Sequence, residues 1–462
     1  MERVDVAIVG GGPAGTAAAH AAASGGASTV VLEKGVPRAD REGLGPDSTD
    51  AAGILDYWVD IMDIHPEEFP DGVVLQQLDR AEFIGPTEAC TLTSTGIDSS
   101  YDQFGYTFNR ARFDDWLRER AESVGAEYRL KTRVTGVDSD SQTTGADPRH
   151  VVSLAGGEKV GADFLILADG PQRTVTNGVL DEYLPDDRKA SELLASPKAN
   201  HIAYQEYRRF PEEVFEELKT AIKFWWGVMP GHTAYPWVFP NDNRVCRVGL
   251  TMPIGLDIDA VDNREAYRLL DSEDDSIPQG STYIRRLLEW QWGDEYDIET
   301  DFPLVEDRGK RGGTETYSIS STRPIESPVA AGIAVAGGAM GTTSAFHEGG
   351  DHVAVRTGAI AGELAAGGDL SAYNDRWHAA IDDELLRNVA FAELCRDYGP
   401  SDWDRTFETV RGMLAADGSD LLKTSTLRSG LSGAKVLYNY KKQKRSLRKG
   451  GYTQLTADDY VY

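Results

Sequence analysis

Cysteine, basic charge and long apolar runs are all scarce in this chain, and each scarcity narrows what the protein can be. Its 462 residues hold three cysteines, Cys90, Cys246 and Cys395. They are far apart and make no CxxC or ligand cluster, so neither a disulfide framework nor a metal site is expected, and a reducing, intracellular setting fits. The most apolar stretch, around 328–341, is rich in Ala and Gly and too short to span a bilayer. The first residues run straight into a strand pattern without a signal peptide. A cytoplasmic protein with at most peripheral membrane contact is the expectation.

Basic side chains number 47 against 75 acidic ones, a formal net charge of −28. The footprint that nucleic acid requires is therefore missing over most of the chain, and no nucleic-acid partner is expected. The acids are scattered (Asp47, Asp50, Asp138, Asp140, Asp186, Asp187, Asp271, Glu273, Asp274, Asp275), which reads as a solvation strategy. A host with a high-salt cytoplasm, where screening removes self-repulsion, is the expected source. What remains is ordinary for a globular chain: 40% apolar, 48 Gly and 20 Pro. The length allows two or three domains.

The order of patterns suggests how they are divided. Val4–Val9 alternates and is β-branched, Gly10-Gly11-Gly12-Pro13-Ala14-Gly15 follows, an Ala-rich helix runs to about Ser24, and Ser28–Leu32 is a second strand ending at Glu33. That is one βαβ unit. Residues 36–75 read as loop plus helix and 76–108 as short strands. Arg112–Val124 is an amphipathic helix closed by Gly125. Strand-like runs follow at Glu127–Leu130, Val134–Asp138, His150–Leu154 and Asp163–Ala168. An aromatic-rich region around 200–255 includes a helix near Glu212–Phe224. Ala331–Ala336 is another buried-type strand, and helical patterning covers Asp351–Ala366 and about Ser371–Leu414. The dinucleotide-type strands thus enclose a different segment. The expected division is a discontinuous cofactor domain (1–75, 106–180, 325–370), a substrate domain (76–105, 181–324) and a C-terminal helical region (371–462).

Gly10-x-Gly12-x-x-Gly15 carries the first chemistry. Gly10 permits a tight turn, Gly12 lets the backbone approach a pyrophosphate, and Gly15 lets helix and strand pack closely. The helix N-terminus offers free N–H groups to the anion. Glu33, eighteen residues after Gly15, is placed to accept from ribose hydroxyls. Strand, glycines, helix, second strand and acid in this order predict a dinucleotide site, without choosing between FAD and NAD.

Four further segments resemble the geranylgeranyl reductase family, within the flavoprotein group that includes the aromatic hydroxylases. Arg110-Ala111-Arg112-Phe113-Asp114 with Leu117 resembles the group's R-x-x-F-D-x-x-L helix start, and Ile166-Leu167-Ala168-Asp169-Gly170 its ADG segment. Tyr235-Pro236-Trp237-Val238-Phe239-Pro240 resembles the reductases' Y-x-W-x-F-P motif. Ala336-Gly337-Gly338-Ala339-Met340-Gly341, continuing to His347-Glu348-Gly349-Gly350-Asp351, resembles their G-D-A-A-G … G-x-G stretch. The resemblance covers most of residues 1–370. It implies an α/β fold with an FAD-binding, Rossmann-like doubly wound domain, an inserted mixed-sheet substrate domain and a C-terminal helical region.

By the same resemblance, FAD is held by Gly10, Gly12, Pro13, Ala14, Gly15, Glu33, Lys34, Arg110, Val134, Asp169, Gly170, Gly338, Gly349 and Gly350. Arg110 inherits the arginine that reaches the pyrophosphate region. The helix after Gly349-Gly350 faces the flavin, where its N-terminus favours negative charge on the reduced ring. Tyr235, Trp237 and Phe239 project to one face of an alternating strand closed by Pro240, and are expected to wall a lipid pocket. The catalytic candidates are Tyr235, Trp237 and His347; a hydrogen-bonded loop histidine is the plainer reading of the last. Trp225-Trp226 suits a cavity wall or the core. The basic run Lys435, Lys441, Lys442, Lys444, Arg445, Arg448 and Lys449, interleaved with Tyr438 and Tyr440, suits anionic lipid headgroups or the protein's own acids equally.

The chain departs from the family pattern in three places. Gly338 replaces its aspartate, Gly45-Pro46-Asp47-Ser48 stands where many archaeal members carry a cysteine motif, and Asn241 replaces a lysine. The expected activity is reduction of isoprenoid C=C bonds by FAD, with NAD(P)H or ferredoxin as external donor. The alternatives are a flavin monooxygenase on an aromatic or isoprenoid substrate, since fold does not fix function, and a non-catalytic relic or electron carrier.

Overall fold

The computed structural model describes residues 1–36, 52–139, 147–309, 311–416 and 430–462, apart from the side chains of 415–416 and 430–436. Gly45–Ser48 and the Lys435 side chain lie outside the described residues, as do Asp47, Asp50 and Asp140.

Runs rich in Val, Ile and Leu make the centre of the first sheet. Glu2–Val9 lies parallel between Thr29–Leu32 and Lys159–Leu167, with Val6, Ile8, Val30, Val31, Leu165 and Ile166 wholly buried. Burial on both faces is what such continuous runs predict. Glu127–Arg129 extends the sheet beside Thr29–Leu32. Lys159–Leu167 is shared: its first half pairs antiparallel with His150–Leu154, its last three residues parallel with Ile333–Val335. The strands expected at the start, at 163–168 and at 331–336 are therefore neighbours in one sheet.

Helix Pro13–Ser24 leaves the Gly10–Gly12 turn and packs on helix Asp351–Ala366. Small residues make this contact close. A Cβ on Gly358 would fall 1.9 Å from the Ala14 carbonyl oxygen, and one on Gly362 2.1 Å from that of Ala18. Helix Arg110–Ser123 starts two residues earlier than its pattern suggests, capped by Asn109 Oδ1, which accepts from the Arg112 N–H at 3.1 Å.

The second sheet has the order Thr314–Ser320, Asn200–Arg209, Val245–Pro253, Tyr235–Pro240, Ala221–Trp225, Arg80–Ile84, Ala89–Leu92. It is antiparallel except where Ala221–Trp225 meets Arg80–Ile84. The helix expected over Glu212–Phe224 ends at Leu218; residues 221–225 are strand instead. Phe224 and Trp225 face opposite sides of the sheet there, which a helix over the same residues would not allow. Gly53–Leu55, Gly105–Phe108 and Val74–Leu78 form a small third sheet. The C-terminal pattern resolves into Tyr373–Leu394 and Pro400–Ala416, broken around Gly399-Pro400, followed by Gly430–Gly450. No helix among the described residues is long and apolar enough to cross a membrane.

Candidate active site

The glycine turn has the geometry a dinucleotide requires. Gly10 has φ +98°, and a Cβ on it would fall 2.3 Å from the Ala168 oxygen. A Cβ on Gly15 would fall 1.9 Å from the Gly10 oxygen, whereas one on Gly12 meets nothing within 4 Å. Gly12 therefore faces open space at the N-terminus of helix Pro13–Ser24, which has no side-chain cap. An anion there meets uncapped N–H groups and the positive end of the helix. Beside the turn is a cavity of about 180 Å³ lined by Gly10, Gly12, Glu33, Lys34, Val134, Asp169 and Gly170, among others. Glu33 turns into it, accepting from the Gly11 N–H at 2.6 Å and the Gly35 N–H at 2.5 Å. An open glycine, an uncapped helix start and a carboxylate at the second strand's end fit the adenosine diphosphate half of FAD.

Three expected ligands have their polar groups otherwise engaged. Asp169 accepts from the N–H groups of Val175 (2.6 Å) and Thr176 (3.2 Å) and from Thr176 Oγ1 (2.5 Å), so it fastens the start of the next helix at the cavity's edge. Arg110 is buried, 2.6 Å from Asp114 and 2.9 Å from Asp351. It ties one helix start to another. Gly338 has no room for the family's aspartate without a shift, since its Cβ would press the Pro171 ring at 3.1 Å.

The reason lies in a residue that the sequence reading missed. Arg173 is almost wholly buried, with φ +50°. It donates to the carbonyls of Ala339 (2.8 Å), Gly338 (3.2 Å) and Pro171 (2.9 Å), to Asn200 Oδ1 (3.2 Å) and to Ser320 Oγ (2.6 Å). Burial pushes this guanidinium down to about 10, partly offset by Asp169. One side chain thus pins the 337–341 loop to the ADG loop and to the second sheet. Its only advance signal was a charged residue three places after Gly170.

The main cavity, about 420 Å³, opens between the second sheet and the 346–352 loop. Tyr235, Trp237 and Phe239 all line it, with Phe83, Phe224, Trp226, Phe346 and Phe391. Glycines let the wall lie flat: a Cβ on Gly249 would fall 2.5 Å from the Trp237 indole, and one on Gly53 3.0 Å from Phe239. Pro240 is not among the lining residues; its carbonyl accepts from Thr107 Oγ1 at 2.7 Å and ends the strand. Trp226 stacks on Tyr235 at 4.2 Å, while Trp225 points into the core.

One end of this cavity is polar. Gly350 precedes helix Asp351–Ala366, and Gly349, Gly350, Asp351 and His352 border the space. Trp58 is stacked between His347 (4.9 Å) and His352 (4.2 Å). His347 Nδ1 accepts from the Gly349 N–H at 3.2 Å, its Nε2 lies 3.6 Å from Glu384, and its carbonyl accepts from the Tyr235 hydroxyl at 2.5 Å. His347 thus fixes the loop. Glu384, from the C-terminal region, is the hub of this end. It is bonded by Asn388 at 2.9 Å, paired with Arg387, and 3.7 Å from His352 Nε2. Burial opposes its charge, but His347, His352 and Arg387 together hold its carboxyl well below the usual range. Burial lowers His352 and raises the Tyr235 phenol well above its ordinary value.

The C-terminal basic run is partly paired with the protein's own acids. Lys444 and Arg448 lie 3.6 Å and 3.0 Å from Asp383, and Tyr440 stacks on the cavity residue Phe391 at 4.5 Å.

Residues 5–166 match the family described as FAD dependent oxidoreductase. A digeranylgeranylglycerophospholipid reductase of Methanothermobacter thermautotrophicus is 25% identical over 96% of this chain and 99% of its own. One from Methanococcoides burtonii is 26% identical over 87% and 86%. An uncharacterized protein of Methanosarcina barkeri is 31% identical over 37% of this chain and 84% of its own. In fold, a geranylgeranyl bacteriochlorophyll reductase-like protein of Thermoplasma acidophilum superposes with a TM-score of 0.66 at 20% identity, covering 97% and 99%. A flavin-dependent brominase gives 0.59 at 16% identity over 96% and 100%. With the glycine cradle, the aromatic wall and these relatives together, the chain is an FAD-dependent oxidoreductase that is similar to the geranylgeranyl reductases.

Proposed function

We propose that this protein saturates C=C bonds in the isoprenoid chain of a lipid or lipid precursor. The observation that carries the reading is the cavity: about 420 Å³, walled by aromatic side chains and polar only at one end. A prenyl chain presents no polar group for a site to recognise, so apolar enclosure must hold it. The relatives named as digeranylgeranylglycerophospholipid reductases support the same substrate class.

The residues divide the work. Gly10, Gly12, Pro13, Ala14, Gly15, Glu33, Lys34, Val134 and Gly170 would hold the nucleotide half of FAD. Arg110 and Asp169 shape that site through their neighbours, and Gly349 and Gly350 offer backbone at the helix start. FAD supplies the reducing equivalents when bound. Tyr235, Trp237 and Phe239 hold and orient the chain, and their apolar faces offer water few partners. NAD(P)H or a ferredoxin would refill the cofactor. The expected setting is the cytoplasm, with lipid reached at the membrane surface through the exposed Lys441, Lys442, Arg445 and Lys449.

The test is product analysis. Anaerobic incubation of the flavin-loaded, dithionite-reduced protein with a geranylgeranyl lipid should add two hydrogens per double bond, read by mass. Conversion that requires oxygen and adds an oxygen atom would replace this reading with a monooxygenase. A protein that takes up no flavin would point to the non-catalytic alternative.

A further inference from the structure

We propose that Glu348, backed by His201, donates the proton to the isoprenoid double bond. This rests on the reductase reading above and names the acid that it requires. Saturating an isolated alkene adds hydrogen to both carbons. Reduced FAD provides two electrons and one hydrogen; the other arrives as a proton from a group that touches the chain. In a cavity walled by aromatic carbon, that group must be a side chain.

Most other polar side chains at this end are engaged, although His347 Nε2 and both His352 nitrogens also lack hydrogen bonds. Tyr235 donates its proton to the His347 carbonyl. His347 accepts at Nδ1 and faces Glu384 with Nε2. Glu384 is a carboxylate paired with Arg387 and Asn388. His352 lies flat on Trp58, its rings 5° from parallel.

Glu348 is different. It borders the cavity with its side chain only 2% exposed, and neither carboxylate oxygen has a hydrogen-bond partner of normal geometry. His201 Nδ1, from strand Asn200–Arg209, lies 2.5 Å from Oε1. The backbone supplies a second, independent observation. Glu348 has φ +58°, the left-handed region that glycine occupies freely, and it is followed by two glycines. A bulky acid held in an unfavourable conformation, buried beside one imidazole without a regular hydrogen bond, is poor for stability and well placed for chemistry.

The step balances. The alkene π pair takes the proton from the Glu348 carboxyl to form a C–H bond at the less substituted carbon. The O–H bond breaks and its electron pair stays on the carboxylate, which His201 holds. Positive charge develops on the more substituted carbon, facing the Tyr235, Trp237 and Trp226 rings, whose π faces attract it. Reduced FAD then supplies the second hydrogen with two electrons, and a proton passing through His201 restores Glu348.

The experiment compares wild type with Glu348→Gln, Glu348→Gly and His201→Gln. Glu348→Gln should lower kcat for prenyl saturation by about a hundredfold or more, with KM changed less than about threefold and flavin uptake unaltered. Glu348→Gly should be equally inactive yet melt at or above the wild-type temperature, because glycine relieves the left-handed strain. A readout without flavin is the infrared carboxyl band of the protonated acid, expected to vanish in Glu348→Gln and shift in His201→Gln. Activity of Glu348→Gln within about threefold of wild type, or an unchanged infrared band, would overturn the assignment and leave the reductase standing. A flavin-loaded wild type that saturates no prenyl chain would overturn the reductase reading itself.

Discussion

Single residues divide here into those whose job is visible in their own chemistry and those whose job depends on what folds against them. Gly10, Gly12 and Gly15 belong to the first group, because each backbone contact forbids any other side chain or leaves space for a ligand. Arg173, His201 and Glu384 belong to the second. Nothing near them in the chain shows that they are buried; their partners include groups 27 to 166 residues away. Glu348 sat inside a recognised segment, yet only its φ and its distant imidazole set it apart. Glu384 makes a clear prediction at this scale. Its carboxyl is held well below the usual range, so its stabilisation is present above the unfolded value, near pH 4.3, and is lost as pH falls toward the folded one. Glu384→Gln should flatten that acid limb in a melting-temperature scan. At neutral pH it should cost about 3 kcal/mol, because Arg387 and the two imidazoles lose their common partner.

At the scale of elements, periodicity made the most of the fold legible. Glu2–Val9 and Tyr235–Pro240 alternate or run apolar in ways that only strands use, and the latter presents three aromatics to one cavity as its period of two requires. The misread segment was 219–224, where an amphipathic helix passes into a strand with no glycine or proline between Leu218 and Ala221 to mark the change. The C-terminal elements were legible as helices but not as part of the site, because a helix pattern does not say which neighbour it meets. His378 shows how they are fastened. It bonds Asp382 at 2.8 Å and Glu326 at 3.0 Å, and Glu326 also accepts from the Ala457 N–H in the tail at 2.6 Å. Burial opposes its charge, but the two carboxylates carry it up to about 9. A raised histidine contributes fully below its unfolded value, near pH 6.5, and loses that contribution as pH rises through about 9. With partial exposure taken into account, roughly 1–2 kcal/mol should disappear across that window. His378→Gln should abolish the alkaline slope, read by denaturant melts at a series of pH values.

For the whole molecule the governing quantity is the charge of −28. Acid side chains crowd much of the surface, and their mutual repulsion is screened only when the Debye length falls from about 10 Å at 0.1 M salt to about 3 Å at 1 M. The melting temperature should therefore rise substantially between 0.1 M and 2 M KCl; a flat response would show that local ion pairs already balance the charge. At this scale the chain holds two cavities, one beside the glycine turn of the first sheet and an aromatic-walled one against the second. Their joint purpose is tested most directly by following the flavin in the absence of oxygen. Protein loaded with FAD and reduced with dithionite should reoxidise when a geranylgeranyl lipid is added, at a rate that falls sharply in Trp237→Ala. Reduced flavin that persists unchanged at saturating lipid, in protein shown to hold the cofactor, would contradict the assignment.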